Sequence, residues 1–336
     1  MKNNVIKRNP VILKAMLDAK VIGQDLAKKQ LCMAIDTQIN KLNNPEYRST
    51  KKNLLLIGKK GSGKSEVIKA ISEIKLPVPV IIVDAFALMR EKNIAKYLFE
   101  ETLYEANLDQ NLEEHAIVII DNLDYALTGD PENYDIDKEG MQFITKLEGF
   151  LRGTTQIKFN FNKPTEKTDE NQKEEQPEKV FKFDKMMFMV VANLPLLPLL
   201  VKYRIGSNKI GFLRNPQTSD LYSKVQTEDL LKFGFPSSFI GEFDSIIKFK
   251  TRTNEEIINI IAKSDLITDF RARLKENGKD LIVTEEALKE LAEYAMENKL
   301  GLWSIKNMIE SKLSLVEFDA IYDENKEVIV KTFLDV

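Results

Sequence analysis

Cysteine and histidine are almost absent from this chain, which has one residue of each among 336. A single cysteine excludes an internal disulfide and any zinc site built from cysteines. Cys32 lies within a helical apolar pattern, so we expect it to be a small buried residue. His115 directly precedes an apolar run, and we expect it to occupy a turn.

The sequence also lacks long apolar runs and an excess of charge of one sign. No run approaches the ~20 residues that span a membrane, and the first ten residues lack an apolar signal core. We therefore expect a cytoplasmic protein with no membrane partner. The 49 basic and 52 acidic residues give a net charge of −3, which argues against a nucleic-acid partner. Hydrophobic residues make up 43% of the chain, enough for cores, and the length predicts two domains.

A phosphate-binding loop is the strongest motif, because residues 58–65 fit the pattern Gly-x-x-x-x-Gly-Lys-Ser between an apolar run and a helical stretch. Backbone N–H groups of such a loop surround phosphate oxygens at a helix N-terminus. Lys64 can reach the β- and γ-phosphates, and the Ser65 hydroxyl can ligate Mg²⁺. The alternative is a glycine-rich turn that matches by chance. The residues expected to bind ATP here are Gly58, Lys59, Lys60, Gly61, Ser62, Gly63, Lys64 and Ser65.

A second apolar run, 116–120, ends in Asp121, where a Mg²⁺ carboxylate belongs. The alternative role for this residue is helix capping. The next residue normally polarises the attacking water, but Asn122 cannot accept a proton. Losing a positioned general base typically costs ~10²–10⁴ in rate. Asp124 is the nearest spare carboxylate, and we expect it to cap a helix.

Apolar runs that alternate with helical patterns predict an α/β fold, with a parallel sheet and flanking crossover helices. Strands are expected at 54–57, 79–83, 116–120 and 186–191, and a helical pattern at 9–42 is interrupted at 21–24. Residues 163–179 contain no hydrophobic residue, which predicts a solvated, flexible insertion between hairpin-like flanks. A small, mainly helical unit is expected from its helical patterns at 253–274, 284–298 and 302–318 and short strands at 281–283 and 328–333.

Several segments together resemble the AAA+ family of ATPases, and within it the ClpX-type unfoldases that feed the ClpP protease. Val-Ile-Gly-Gln at 21–24 is similar to the family segment that packs against adenine, and Asn193 follows a strand where the family has a sensor residue. Further similar segments are 139–142, 225–234, 239–241 and 301–305. The resemblance covers nearly the whole chain except an N-terminal zinc domain, which we expect to be absent.

The resemblance implies a large nucleotide-binding domain at 1–250 and a small domain at 251–336. It implies ATP and Mg²⁺ as cofactors, with Val21 and Ile22 near adenine, Asp121 near Mg²⁺ and Asn193 as a possible first sensor. It also implies a six-membered ring, made of this chain alone or mixed with an authentic ClpX.

A partner site is expected at Ile210, Gly211 and Phe212, the tripeptide with which ClpX-like rings dock into apolar clefts of ClpP. Small and polar residues surround it, which predicts an exposed loop tip. An exposed Ile and Phe on a polar loop indicate a docking site for a ClpP-like protease. The alternative is that both side chains fold back onto the domain.

Departures from the family pattern predict weak or absent hydrolysis. Asn122 stands at the catalytic Glu position, and Glu242 stands where the arginine finger follows Phe-Ile-Gly. A finger stabilises charge on a neighbour's γ-phosphate and is worth ~10³–10⁵ in rate. Leu300 takes the sensor-2 arginine position, and Trp303 takes another position that is usually Arg.

The residues that grip substrate in the family are also missing. No Gly-Tyr-Val-Gly loop follows Val83-Asp84-Ala85, so Phe86 or Met89 would have to take over the grip. The second pore loop, normally basic, falls in the acid-rich insertion at 163–179.

Three functions remain open from the sequence. The first is a degenerate ClpX-like subunit that binds Mg-ATP and docks on ClpP with weak or no hydrolysis. The second is an active ATP-dependent unfoldase with unorthodox catalytic residues. The third is a non-catalytic scaffold that recruits proteins to a protease, with 163–179 as a recognition arm. A nucleic-acid remodeller is a distant fourth, because a basic stripe is missing.

Overall fold

A computed structural model describes residues 9–44, 46, 52–128, 136–159, 179–207, 220–297, 303–323 and 325–334. Contacts between residues divide the chain into two compact units. The first comprises Met1–Leu17, Asp25–Gly58 and Lys64–Phe249, and the second comprises Asp18–Gln24, Lys59–Gly63 and Lys250–Val336.

A five-stranded parallel sheet forms the centre of the first unit and confirms the predicted α/β fold. Its strands are β1 Leu54–Gly58, β2 Val80–Asp84, β3 Ile117–Asp121, β6 Met187–Ala192 and β7 Ser245–Phe249. They lie in the order β2-β3-β6-β1-β7. The four predicted strands are confirmed within one residue. The strand β7 was not predicted, because it alternates in burial as edge strands do and lacks the long apolar run of the central strands.

Two further strands, β4 Gln156–Phe159 and β5 Lys179–Lys182, pair antiparallel and confirm the hairpin-like flanks of the charged insertion. Lys179, which we assigned to the insertion, is instead the first residue of β5. The rest of the predicted insertion, 163–178, lies outside the described residues.

Helices before residue 250 cover the sheet, and the predicted break at 21–24 separates the first two. They are α1 Pro10–Lys20, α2 Asp25–Asn43, α3 Lys64–Glu73, α4 Ala85–Arg90, α5 Ile94–Glu105, α6 Gln110–Glu113, α7 Leu123–Thr128, α8 Lys138–Arg152, α9 Leu197–Ser207, α10 Thr227–Phe233 and α11 Ser237–Gly241, with a 3-10 turn at Leu221–Lys224. Because helices lie against both faces, β1, β3 and β6 are almost wholly buried. Cys32 is buried in α2 and His115 lies in a turn, as predicted.

The second unit is mainly helical, as predicted. It contains α12 Asn254–Ala262, α13 Asp265–Glu276, α14 Glu285–Glu297, α15 Trp303–Ala320 and a parallel pair, β8 Asp280–Val283 with β9 Glu327–Val330. Thr253 and Glu256 form a capping box at the start of α12, and Ser264 caps α13. The Ser264 cap divides the predicted helix 253–274 into α12 and α13. Within the described part of the chain, no helix has the length and apolar character needed to cross a membrane.

Candidate nucleotide site

Polar residues gather at the carboxyl edge of the sheet because four neighbouring parallel strands end there. Gly58 ends β1, Asp84 ends β2, Asp121 ends β3 and Asn193 directly follows β6. The backbone register pairs Asp84 with Asp121. Ligands of open parallel sheets bind outside this edge, so these positions are the expected place for chemistry.

The side chain of Lys64 lies at this edge and is only 4% exposed. Its Nζ donates to the Gly58 carbonyl at 2.7 Å and to Asn193 Oδ1 at 2.6 Å. Burial lowers the pKa of this amine to about 8, although Asp124 and Asp121 act in the opposite direction. A phosphate group beside Lys64 would favour its charged form.

Ser65 and Asp121 provide oxygen atoms suited to Mg²⁺. Ser65 Oγ lies 3.4 Å from Asp121 Oδ2. Burial raises the pKa of Asp121, and the hydrogen bond from the Asn122 N–H partly opposes that rise. Because Mg²⁺ takes oxygen ligands and shares them with substrate phosphates, one hydroxyl and one carboxylate at this place fit the ion.

Asn193, the predicted sensor residue, links Lys64 to Asp124. Its main-chain N–H donates to Asp124 Oδ1 at 2.8 Å, and its side-chain amide lies 3.5 Å from both Asp124 oxygens. Burial raises the pKa of Asp124. Asp124 lies in the first turn of α7, and a hydrogen bond from its own main-chain N–H partly opposes that rise. The expected helix-capping role therefore stays a prediction. The hydrogen bond from the Asn193 N–H also makes Asp124 part of the support for Asn193.

Asn122 occupies the position after Asp121 in a left-handed conformation, with φ of 59°. Asparagine tolerates that conformation better than most residues. Its side-chain Nδ2 donates to Asp84 Oδ2 at 2.9 Å. The amide that replaces the expected glutamate therefore contacts a carboxylate from the neighbouring strand.

The phosphate loop residues 59–63 contact the segment around residue 22 within the second unit. Gly61 and Gly63 have φ of 79° and 96°, conformations that suit glycine. Gln24, 8% exposed, donates from Nε2 to the carbonyls of Ser62 and Lys250 at 2.9 and 2.7 Å. This side chain fixes the loop to the start of the C-terminal segment.

Arg252 packs directly against this loop. A Cβ atom built on Gly63 would come within 2.1 Å of Arg252 Nη2. The guanidinium therefore leaves room only for glycine at position 63. Its Nη1 donates to the Ile22 carbonyl at 2.8 Å, and the residue is 6% exposed. Val21, which precedes Ile22 in the chain, is buried. A cavity here is lined by Lys59, Lys60, Gly61, Ser62, Thr251, Arg252, Ile257, Ala295 and Met296.

Glu242, at the predicted finger position, forms an ion pair. Arg152 Nε and Nη2 donate to Glu242 Oε1 at 3.0 and 2.8 Å. The pair raises the pKa of Arg152. The sequence predicted a carboxylate at the finger position, and the structure places the Arg152 guanidinium against that carboxylate.

The two side chains considered as replacement grips have other contacts. The guanidinium of Arg90 lies 4.0 Å from the centre of the Phe86 ring. Met89 packs against the core of the first unit. Both are therefore engaged within this chain.

Several predicted positions lie outside the described residues. They are Ile210, Gly211, Phe212 and Leu300. Trp303 is the first residue of α15, and its side chain is not described.

Three residues that the structure brings into contact with the predicted positions were given no role in the sequence predictions. They are Asp84, Arg152 and Arg252. Asp84 could have been found, because it follows a predicted strand that neighbours the strand of Asp121. Arg152 and Arg252 carry no local signal, since their partners are distant in sequence.

Comparison with known proteins agrees with this geometry. Residues 54–195 match the family model described as "ATPase family associated with various cellular activities (AAA)". The chain is 26% identical over 332 residues to the ATP-dependent Clp protease ATP-binding subunit ClpX of Treponema denticola. That alignment covers 93% of this chain and 77% of the relative.

Proposed function

Because the chain is a ClpX-like AAA+ protein, we propose that it binds Mg-ATP and serves as a nucleotide-binding subunit of a Clp-type protease. Hydrolysis of ATP is weak or absent in this proposal. Residues 1–250 form the large domain and 251–336 the small one. The subunit works in a six-membered ring, alone or mixed with an authentic ClpX.

The observation that carries the proposal is the arrangement of Lys64, Ser65, Asp121 and Asn193 at one edge of the sheet. Lys64 is held by Gly58 and Asn193 within 2.7 Å, so its amine is fixed in place before a phosphate arrives. Ser65 and Asp121 supply the oxygen pair for Mg²⁺. Val21 and Ile22 supply the adenine side of the site by resemblance.

Nucleotide affinity tests this part. Titration calorimetry of Mg-ATP compares wild type with Lys64→Ala and with Lys69→Ala, an exposed lysine on the same helix. Hydrogen bonds to charged groups are worth ~1.5–3 kcal/mol, so Lys64→Ala should weaken binding at least tenfold. Lys69→Ala should bind as wild type does. Equal affinity in all three proteins would refute the proposed site.

Docking on a ClpP-like protease is the second part of the proposal. It is supported by the Ile-Gly-Phe tripeptide at 210–212 and by the ClpX relative. A pull-down with ClpP should retain wild type and the control Asn215→Ser, and should lose the double variant Ile210→Ser, Phe212→Ser. Retention of the double variant would count against this docking site.

An active unfoldase is the alternative function. The similarity along 93% of the chain favours it. The contacts of Phe86 with Arg90 and of Met89 with the core count against it, because a substrate would have to compete with these contacts. A scaffold that recruits proteins through 163–179 remains a further alternative, and ATP-independent binding to ClpP would favour it.

A further inference from the structure

Asp84 is a carboxylate at the nucleotide edge to which the proposed function assigns no role. It ends β2 in register with Asp121, and it is solvent-exposed. Its Oδ2 accepts the Asn122 side-chain amide at 2.9 Å. A carboxylate thus lies one hydrogen bond from the residue that replaces the expected base.

The orientation of Asp84 is fixed by its second oxygen. Oδ1 accepts the main-chain N–H groups of Phe86 and Ala87, both at 3.0 Å, as the cap of α4. Oδ2 therefore remains on the side of Asn122. A carboxylate held in this way needs no rearrangement to contact a water beside Asn122.

The other carboxylates at this edge are engaged in different ways. Asp121 accepts the Asn122 main-chain N–H at 2.9 Å and lies next to Ser65. Asp124 accepts the Asn193 N–H at 2.8 Å. Both are only partly exposed, whereas Asp84 is exposed and accessible to water.

We propose that Asp84 is the general base of a slow ATP hydrolysis in this chain, and that Asn122 positions the water. The water oxygen forms a bond to the γ-phosphorus, and the bond from that phosphorus to the bridging oxygen breaks. The electron pair of the broken bond stays on ADP. Asp84 accepts the water proton and later releases it to solvent, so that the products are ADP and phosphate. The inference rests on the proposed binding of Mg-ATP.

The test is steady-state hydrolysis of Mg-ATP together with ATP affinity, with Lys64→Ala as background. The variants are Asp84→Asn and Asp84→Ser, because Asn and Ser also cap helices. Asp109→Asn is the matched control. Asp109 Oδ1 accepts the N–H groups two and three residues ahead, as Asp84 Oδ1 does. Asp109 differs in its place, because it lies in the connection that leads to the amino end of β3.

Wild type should turn over ATP above the Lys64→Ala background, and both Asp84 variants should lower kcat at least tenfold. A positioned base is worth ~10²–10⁴ in rate. ATP affinity and KM should stay within about twofold, because the base contacts only water. Asp109→Asn should match wild type.

Three results would overturn the inference. Wild-type turnover at the Lys64→Ala background with ATP binding intact would refute the base and leave the proposed function standing. Undiminished kcat in the Asp84 variants would place the base elsewhere. Failure of wild type to bind ATP would remove the proposed function as well.

Discussion

The two edges of the parallel sheet use polar side chains differently. At the carboxyl edge, Asn193 contacts both Lys64 and Asp124, and the three side chains lie at a common candidate site. At the amino edge, polar side chains mainly bind main-chain groups. Asn53 donates from Nδ2 to the carbonyls of Leu151 and Glu242 at 2.7 and 3.1 Å. One edge is arranged for a ligand, and the other is arranged to hold segments of the chain together.

The same contrast explains the departures from the AAA+ pattern. Asn122 replaces the expected base at the carboxyl edge, but a carboxylate remains beside it in Asp84. Glu242 replaces the arginine finger near the amino edge, but a guanidinium remains beside it in Arg152. In both places the expected chemical group is present on a neighbouring element.

The largest expected effect concerns Glu113 at the amino edge. This carboxyl group is fully buried, and within the described part of the chain its Oε2 has no hydrogen-bond partner. Burial raises the pKa of Glu113 from 4.5 to about 8. Between pH 4.5 and about pH 8, Glu113 therefore keeps its proton in the folded protein but has lost it in the unfolded chain. For this reason the free energy of unfolding falls as the pH rises through that range.

Between pH 6 and pH 8, this group should lower the free energy of unfolding of wild type by about 2 kcal/mol. Glu113→Gln should remove that loss, because the amide does not titrate. Denaturant unfolding at both pH values measures it, with the exposed Glu105→Gln as control. Equal pH dependence in wild type and Glu113→Gln would show that Glu113 is not the buried acid responsible.

A smaller effect is expected from Asn122→Glu at the carboxyl edge. The new carboxylate should raise ATP turnover about tenfold, a fraction of what a well-placed base contributes. The left-handed backbone of residue 122 limits the gain, since such a conformation costs other residues ~1–2 kcal/mol. Asn122→Gln has the same length without the carboxylate and should show no gain. A similar rise in both variants would argue that the side chain of Asn122 merely blocks the site.

The smallest expected effect concerns the pair formed by Arg152 and Glu242. Glu242→Arg should lower the midpoint of thermal unfolding, because two guanidinium groups would then lie together. Adding Arg152→Glu should restore the midpoint by reversing the pair. The same melting experiment on both proteins checks this, and independent effects of the two changes would refute the pairing.

Much of the first unit follows from local pattern. The strand at 116–120 and the loop at 58–65 were predicted from contiguous residues, and the structure confirms the strand within one residue, at Ile117–Asp121. The edge strand β7 was missed, because its five residues mix polar and apolar side chains and form no long apolar run. The break between α12 and α13 was missed as well, because the Ser264 cap interrupts an otherwise continuous helical pattern.

The sequence by itself determined four of the five strands of the sheet and the phosphate-loop motif, because apolar runs and glycine spacing are local patterns that can be read from a few contiguous residues. It also identified Asn122 and Glu242 as departures from the family. Only the tertiary structure decided what lies beside them. Asn122 contacts Asp84 from 38 residues away, and Glu242 contacts Arg152 from 90 residues away. Strand register and helix packing bring these groups together, and neither leaves a local signal in the sequence.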